Sequence, residues 1–317
     1  MPKNPSSPLI NIRSLAREIL QDSKDILTLH PNLVTGSLRE RLESFRILYK
    51  ENTVVSLWPS SEDEVGAYLF FNTVNFCFKD PASGNEYRYI NPEGKSFSRS
   101  TGLFQAFADA RVHWNDLQQV SELSETRWME ITQLNKANVL YLGQERLNRI
   151  TGFARYLMAT KCPTATGFLQ DHHAQVLEIL TALINSGYFD DEFLKRAQVA
   201  IKNVDKILFK QRGSGLDGMD ALTCMADYRL PQVFYNLGVV ELPLSLKEKL
   251  TRQELVIPGS REERALRASV IVIGEQLSHQ MGINEAEIDD LLWEMSQVMA
   301  REKNMKIPHM LVATDKY

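Results

Sequence analysis

The chain has 317 residues, 24% of them charged and 44% apolar, enough for one large core or two closely joined ones in an ordinary globular protein. A net charge of −4 lacks the basic surplus of a protein built to coat nucleic acid, and no apolar run approaches the ~20 residues of a membrane helix. The cysteines Cys77, Cys162 and Cys224 lack metal-ligand spacing, and the starting Met-Pro-Lys-Asn-Pro-Ser-Ser-Pro8 has no apolar core for a signal peptide. The expectation is a cytoplasmic protein with buried, reduced cysteines and no structural metal.

Ser7 can cap a first helix with Pro8 at its first position, and Ile10, Ile12, Leu15, Ile19, Leu20 and Ile26 form its approximate stripe. Residues 39–49 predict a second helix, with Leu42, Phe45, Leu48 and Tyr49 on one face. The period then changes. Tyr68-Leu-Phe-Phe-Asn-Thr-Val-Asn-Phe-Cys-Phe78 is aromatic and β-branched, which predicts a strand or strand pair. Asp80-Pro-Ala-Ser-Gly84 turns, Glu86-Tyr-Arg-Tyr-Ile90 predicts a second strand, and Asn91-Pro-Glu-Gly94 turns again before Lys95-Ser-Phe97.

From about Gly102 the pattern is helical almost throughout. One helix starts near Leu103, others cover residues 114–123 and 126–134, and a longer one covers 144–159 before a loop at 161–167. His172 and His173 open a helix whose stripe is Val176, Leu177, Leu180, Leu183 and Ile184, ended by Gly187. Adjacent histidines cannot share a helical face, and no third ligand stands at useful spacing, so they predict exposed or capping residues. Phe193-Leu-Lys-Arg-Ala-Gln198 continues as a helix through Ile201, Val204, Ile207 and Leu208. The Gly-rich connection Gln211-Arg-Gly-Ser-Gly-Leu-Asp-Gly218 lacks the Gly-Lys-Ser/Thr ending of a P-loop. Further on, Ser245 is placed to cap residues 246–253, and Ser260-Arg-Glu-Glu263 is a capping box for the next helix. Ile288, Leu291, Leu292, Met295 and Met299 form the buried stripe of the last long helix. Trp293 falls off that stripe beside Asp289, and Asp290 lies one turn from Glu294.

The most informative stretch is Asp217-Gly-Met-Asp-Ala-Leu-Thr-Cys-Met-Ala-Asp-Tyr-Arg-Leu-Pro-Gln-Val-Phe-Tyr-Asn-Leu-Gly238. It predicts a short helix over 221–229 with Asp220 as N-cap, then a second over 232–237 opened by Pro231 and closed by Gly238 in a left-handed cap. Asp227, among Leu222, Met225, Ala226 and Leu230, then faces the negative end of a helix dipole, at a cost of about a few tenths of a kcal/mol. Either it pairs with Arg229 or another base and holds the bend, or it marks a site, because breaches of local rules often coincide with function.

Thr223-Cys-Met-Ala-Asp-Tyr-Arg-Leu-Pro-Gln-Val233, followed by Leu237-Gly238, resembles the signature of the queuosine salvage protein family. Phe193-Leu-Lys-Arg-Ala-Gln198 resembles that family's Phe-Tyr-Lys-Arg-Ala-Gln helix. Leu140-Tyr-Leu-Gly-Gln-Glu-Arg-Leu-Asn-Arg149 is similar to its Pro-Leu-x-Glu-Glu-Arg segment, and Asn72-Thr-Val-Asn-Phe-Cys-Phe78 to its Asn-Phe-x-Phe segment. Asp289 and Trp293 match an Asp-(Phe/Tyr)-x-Leu-Trp-Asp motif in which Asp290 replaces the aromatic and Glu294 the last acid. The resemblance runs from about residue 55 to 308. It departs at Val54-Val-Ser-Leu-Trp-Pro59, where relatives carry a histidine, and at Pro308-His-Met-Leu-Val-Ala-Thr-Asp-Lys-Tyr317, where relatives carry arginines before a terminal Tyr.

The resemblance implies an N-glycosylase that releases the base queuine from queuosine 5'-phosphate for salvage into tRNA modification. The fold to expect is mainly α, a single domain over 1–317 with a compact, bundle-like helical core and a small β-sheet appendage near residues 67–98. A relation of that core to DNA glycosylases is part of what the family implies. Asp227 matches the catalytic carboxylate. Met225, Tyr228 and Phe76 are the expected apolar walls for the base, Asp289, Asp290 and Glu294 its polar contacts, and Lys195 or Arg196 the cation facing an anion. No cofactor is implied, and the partner is a small molecule rather than nucleic acid, with the chain a monomer or weak oligomer. Alternatives stay open: a hydrolase acting on queuosine or another 7-deazapurine nucleoside, or a non-catalytic base-binding protein. On the structural side, the alternatives are a core strand around Asn75, a solvated cationic face at Lys195 and Arg196, and a solvated acidic face on the last helix.

Overall fold

A computed structural model describes residues 8–49 and 61–317, and these form two compact units. Residues 8–49 and Met219–Ala313 make the first, and residues 61–218 with Thr314–Tyr317 the second. The expected Ser7 cap, the stretch Val54 to Pro59 and the side chains of Ile10, Leu48 and Tyr49 lie outside the described residues.

The first unit opens with α1 (Pro8–Gln21), which buries Leu9, Ile12, Ala16 and Ile19. β1 (Thr28–Leu29), α2 (Pro31–Leu33), a π-helical turn over Val34–Leu38 and α3 (Arg39–Tyr49) follow.

The second unit is built on α4 (Ser61–Thr73), and here the structure corrects the sequence reading. Tyr68 to Thr73 is helical rather than a strand, because α4 packs against other helices on several sides and buries Val65, Ala67, Leu69, Phe70 and Phe71. An all-round apolar helix has no polar face to mark a period, and its aromatic residues imitate a strand. The β appendage shrinks to the bridge Lys79–Glu86 and the hairpin of β2 (Arg88–Ile90) with β3 (Ser96–Ser98).

Next come α5 (Arg99–Asp109), α6 (Leu117–Ser121), α7 (Glu125–Thr132), α8 (Gly143–Ala159), α9 (Ala165–Asp171), α10 (Val176–Asn185) and α11 (Lys195–Arg212). α9 occupies part of the expected 161–167 loop, started by Thr164, whose Oγ1 accepts the Gly167 N–H at 3.0 Å. His172 and His173 therefore connect α9 to α10 rather than open a helix, with His172 Nδ1 2.7 Å from the Phe168 carbonyl. α4 lies against α5, α8, α9 and α11.

The chain returns to the first unit with a 3-10 turn (Met219–Ala221), α12 (Leu230–Asn236), β4 (Val240–Glu241), α13 (Leu244–Thr251), β5 (Leu255–Val256), α14 (Arg261–Met281), α15 (Glu285–Arg301) and β6 (Leu311–Val312). β4 pairs antiparallel with β1, and β6 pairs parallel with β5. The capping box forms in a shifted version: Ser260 Oγ accepts from Glu263 N at 3.3 Å, and Glu263 Oε2 accepts from Gly259 N at 3.1 Å. Ser245 lies inside α13, whose cap position is Pro243. α1 packs on α14, and α12 on both α14 and α15, which buries the predicted stripe of Ile288, Leu291, Leu292, Met295 and Met299. The chain is thus mainly helical, and among the described residues no helix is long and apolar enough to cross a membrane.

Two fully buried arginines hold the end of α4 and the irregular stretch after it. Arg146 of α8 donates to the carbonyls of Tyr141 (2.8 Å), Phe76 and Cys77 (2.6 Å each) and Val74, while Arg196 of α11 donates to those of Asn72 (3.3 Å), Lys316 (2.7 Å) and Thr73. Helix-terminal carbonyls lack intrahelical partners, and Arg196 supplies those of Asn72 and Thr73, while Arg146 serves the carbonyls that follow. Burial lowers both cations, Arg146 to about 9 and Arg196 to about 10, so the hydrogen bonds act against a real desolvation cost. Arg146→Met keeps much of the bulk but strips four carbonyls of their donor, each worth ~1–3 kcal/mol when left unpaired. Urea denaturation is expected to show a loss above ~3 kcal/mol, and a loss under ~1 kcal/mol contradicts this account of the helix end.

Candidate active site

The predicted helix over 221–229 does not form. After the 3-10 turn the backbone from Leu222 to Ala226 is buried and takes no regular secondary structure, and among the described residues it pairs with no strand. Its peptide groups are taken by side chains from three helices. Arg13 of α1 donates through Nη2 to the carbonyls of Ala221 (3.2 Å) and Leu222 (3.0 Å) and to Glu285 Oε1 (2.8 Å). Glu285, the first residue of α15, accepts the Cys224 N–H through Oε2 at 3.0 Å. One turn on, Asp289 Oδ1 accepts the Met225 N–H at 3.0 Å. From α14, Arg267 Nε donates to the Ala226 carbonyl at 2.8 Å, and its Nη1 lies 3.2 Å from Glu263 Oε1. An unpaired buried peptide group costs ~1–3 kcal/mol, so remote partners of this kind can override local helix propensity.

The segment also needs a gap in α14. A Cβ placed on Gly274 would stand 2.3 Å from Cys224 Sγ and 2.6 Å from its Cβ. Only glycine lets the segment approach α14 so closely.

At the end of this segment the chain turns sharply, with Asp227 N bonded to the Met225 carbonyl at 2.8 Å. Asp227 Oδ1 then accepts the N–H groups of Arg229 (2.8 Å) and Leu230 (3.0 Å). The carboxylate therefore sits before the positive end of α12, not in the last turn of a preceding helix, and the expected dipole penalty is reversed. It does hold the bend, but through backbone N–H groups. Among the described residues no ion pair joins Asp227 to Arg229, and Oδ2 of Asp227 has no hydrogen-bond partner. Gly238 closes α12 as predicted, at φ 74° with Val239 N on the Phe234 carbonyl at 2.9 Å.

The first unit also holds six of the nine residues singled out by sequence: Asp227, Met225, Tyr228, Asp289, Asp290 and Glu294. Met225 is buried, and half-buried Tyr228 lies with its ring 4.9 Å from that of His309, tilted by 41°. His309 is brought there by α12, where Gln232 and Asn236 hold both polar groups of Ile307 and the Tyr235 hydroxyl donates to the Pro308 carbonyl. On α15, Trp293 is 42% exposed and Asp290 and Glu294 are half-buried, whereas Asp289 is buried. The acidic group is thus split between the interior and the surface. Burial pushes the Glu285 carboxyl up, opposed by Arg13 and by the Cys224 N–H.

The second unit holds the remaining three. Phe76 is buried with the Arg146 guanidinium 4.0 Å from its ring centre and those of Arg196 and Arg149 at 5.4 and 5.8 Å. Arg196 is spent on the end of α4 and on the Lys316 carbonyl, with Nη2 3.6 Å from Asp190 Oδ1. Lys195 is 9% exposed at the first turn of α11, its backbone N–H on Asp191 Oδ2 at 2.8 Å. Two surface clefts in this unit, one around Val65, Leu169 and Leu208 and one around Asp63, His113 and Thr164, contain none of the residues that the sequence singles out. Among the described residues no group of three His, Cys, Asp or Glu side chains is placed to hold a metal ion.

Residues 57–315 match the family model described as queuosine salvage protein. A relative from Sphaerobacter thermophilus, named queuosine 5'-phosphate N-glycosylase/hydrolase, is 31% identical over 76% of this chain and 78% of its own length. Relatives of the same name from Schizosaccharomyces pombe and Mus musculus are 25% and 20% identical, over 49% and 92% of this chain and 48% and 94% of their own lengths.

The close packing of this segment on α14 gives a direct test. Gly274→Ala forces Cys224 to move and is expected to destabilise the protein by ~1–3 kcal/mol in urea denaturation. Adding Cys224→Ala, which removes the nearest clashing atom, is expected to recover part of that loss. Strictly additive losses contradict the packing described.

Proposed function

Because the chain belongs to the queuosine salvage protein family, we propose that it hydrolyses the N-glycosidic bond of queuosine 5'-phosphate and frees queuine for salvage. Water adds to C1' of the ribose while the electron pair of the C1'–N bond leaves with the base, giving ribose 5-phosphate and queuine. Positive charge builds on the sugar ring before the new bond is complete. A carboxylate stabilises that charge and accepts the proton of the attacking water. Water is the only co-reactant, so the reaction calls for no cofactor.

The observation that carries this reading is the Asp227 carboxylate, tied down through Oδ1 by two backbone N–H groups, with no hydrogen-bond partner on Oδ2 among the described residues. Fixed on one oxygen, it can orient water with the other. Tyr228 and Met225 supply apolar surface for the flat base, and the half-buried acids Asp290 and Glu294 suit the cationic amine of queuine's side arm. Asp289 is assigned a different part from a surface acid, since its Oδ1 holds the Met225 N–H that leads into Asp227. The family likeness offers Lys195 or Arg196 as the cation that meets an anion, and Arg196 already serves three carbonyls.

Asp227→Asn keeps the side-chain shape and an acceptor for the two N–H groups. Steady-state kinetics on queuosine 5'-phosphate are expected to show a loss of ~10²–10⁴ in kcat. Turnover near wild type in the folded variant removes Asp227 from the chemistry. Replacing Lys195 by Ala is expected to raise KM for the monophosphate about tenfold or more, with little change on unphosphorylated queuosine, since charged hydrogen bonds are worth ~1.5–3 kcal/mol. Equal losses on both substrates assign Lys195 a structural part instead.

A further inference from the structure

Asp227 is reached through a buried segment, Leu222 to Ala226, without regular secondary structure. The two residues before it are gripped at one peptide group each: the Met225 N–H by Asp289 and the Ala226 carbonyl by Arg267. Arg267 and Glu263 are both about 3% exposed along their side chains and lie one helical turn apart on α14. Farther back, the pair of Arg13 and Glu285, at 18% and 5% side-chain exposure, grips the carbonyls of Ala221 and Leu222 and the Cys224 N–H.

Stability alone does not call for such a construction. Buried ion pairs gain little over well-packed apolar residues of similar size, because desolvation consumes most of the attraction. What they add is direction: each guanidinium and carboxylate accepts one geometry of the segment and rejects its helical alternative. Placement of a reacting group matters on the same scale, since an error of ~1 Å can cost ~10²-fold in rate.

We propose that Arg267 with Glu263, and Glu285 with Arg13, are positioning residues for Asp227. The two ion pairs fix the buried segment at its carbonyl and amide groups, and through it the place of the carboxylate. This inference rests on Asp227 carrying the hydrolysis. The residues touch no substrate themselves. They act through the peptide chain, over one bond for Arg267 and over a few residues for Glu285.

The test compares Arg267→Lys and Glu285→Gln in the wild-type and in the Asp227→Asn background, with folding followed by circular dichroism. In the wild-type background each is expected to lower kcat on queuosine 5'-phosphate by ~10–100-fold with KM changed less than about threefold. In the Asp227→Asn background the residual turnover is expected to stay the same, because the group being positioned has lost its function. Equal fold-losses in both backgrounds, or an unchanged kcat in the first, overturn the proposal and leave Asp227 standing. Wild-type turnover by Asp227→Asn alone removes the premise and the proposal with it. Arg13→Lys keeps the charge but cannot serve two carbonyls and Glu285 together, and it decides the matter if the buried variants do not fold. Its expected effect is of the same sign and smaller.

Discussion

A buried segment without regular secondary structure needs partners for its peptide groups from elsewhere, and the first unit is arranged around meeting that demand for residues 221–226. Three helices each contribute: Arg13 from α1, Arg267 from α14, and Glu285 with Asp289 from α15. The i,i+4 spacing of Glu285 and Asp289 places one carboxylate per helical turn beside successive amides, Cys224 and Met225. Gly274 supplies the room. The tight turn at Asp227 then follows from the end of the segment and the start of α12, and the carboxylate's own bonds to Arg229 N and Leu230 N complete it.

The second unit meets a related problem with related means. α4 ends in the interior, and its last carbonyls and those of the irregular stretch after it accept hydrogen bonds from Arg196 and Arg146. Guanidinium groups suit this task because a single side chain serves several carbonyls in fixed directions. Arg149 extends the cluster, donating to the Tyr188 carbonyl at 3.1 Å and pairing with Asp315. The cations that the sequence offers as anion readers are, in the case of Arg196, part of the scaffold.

Much of the helical frame was legible because burial is one-sided there. α15 is the clearest case, with five predicted stripe residues buried and Trp293 left outside. α4 was misread for the opposite reason: enclosure by several helices erases the period, and Phe70 and Phe71 then carry a strand-like composition. The segment before Asp227 was misread because its partners, Arg13 and Glu285 above all, lie far away in the chain and leave no local trace. Asp227 itself stood out as an ionisable residue among apolar neighbours, although the dipole argument attached to it had the wrong sign. Asp289 was found by family likeness, yet its burial was hidden by the acids beside it. The division into two units was hidden because the first unit is discontinuous in sequence, so that the Gly-rich connection ending at Gly218 reads as an ordinary loop.

The account makes the chain a hydrolase of a nucleotide rather than a base-binding protein, and product analysis tests that most directly. Purified protein incubated with queuosine 5'-phosphate, and in parallel with queuosine, is followed by mass spectrometry for free base and free sugar. The account predicts equimolar queuine and ribose 5-phosphate from the monophosphate, accumulating over many turnovers. Queuine bound one-to-one without turnover, or no release from either substrate, contradicts it.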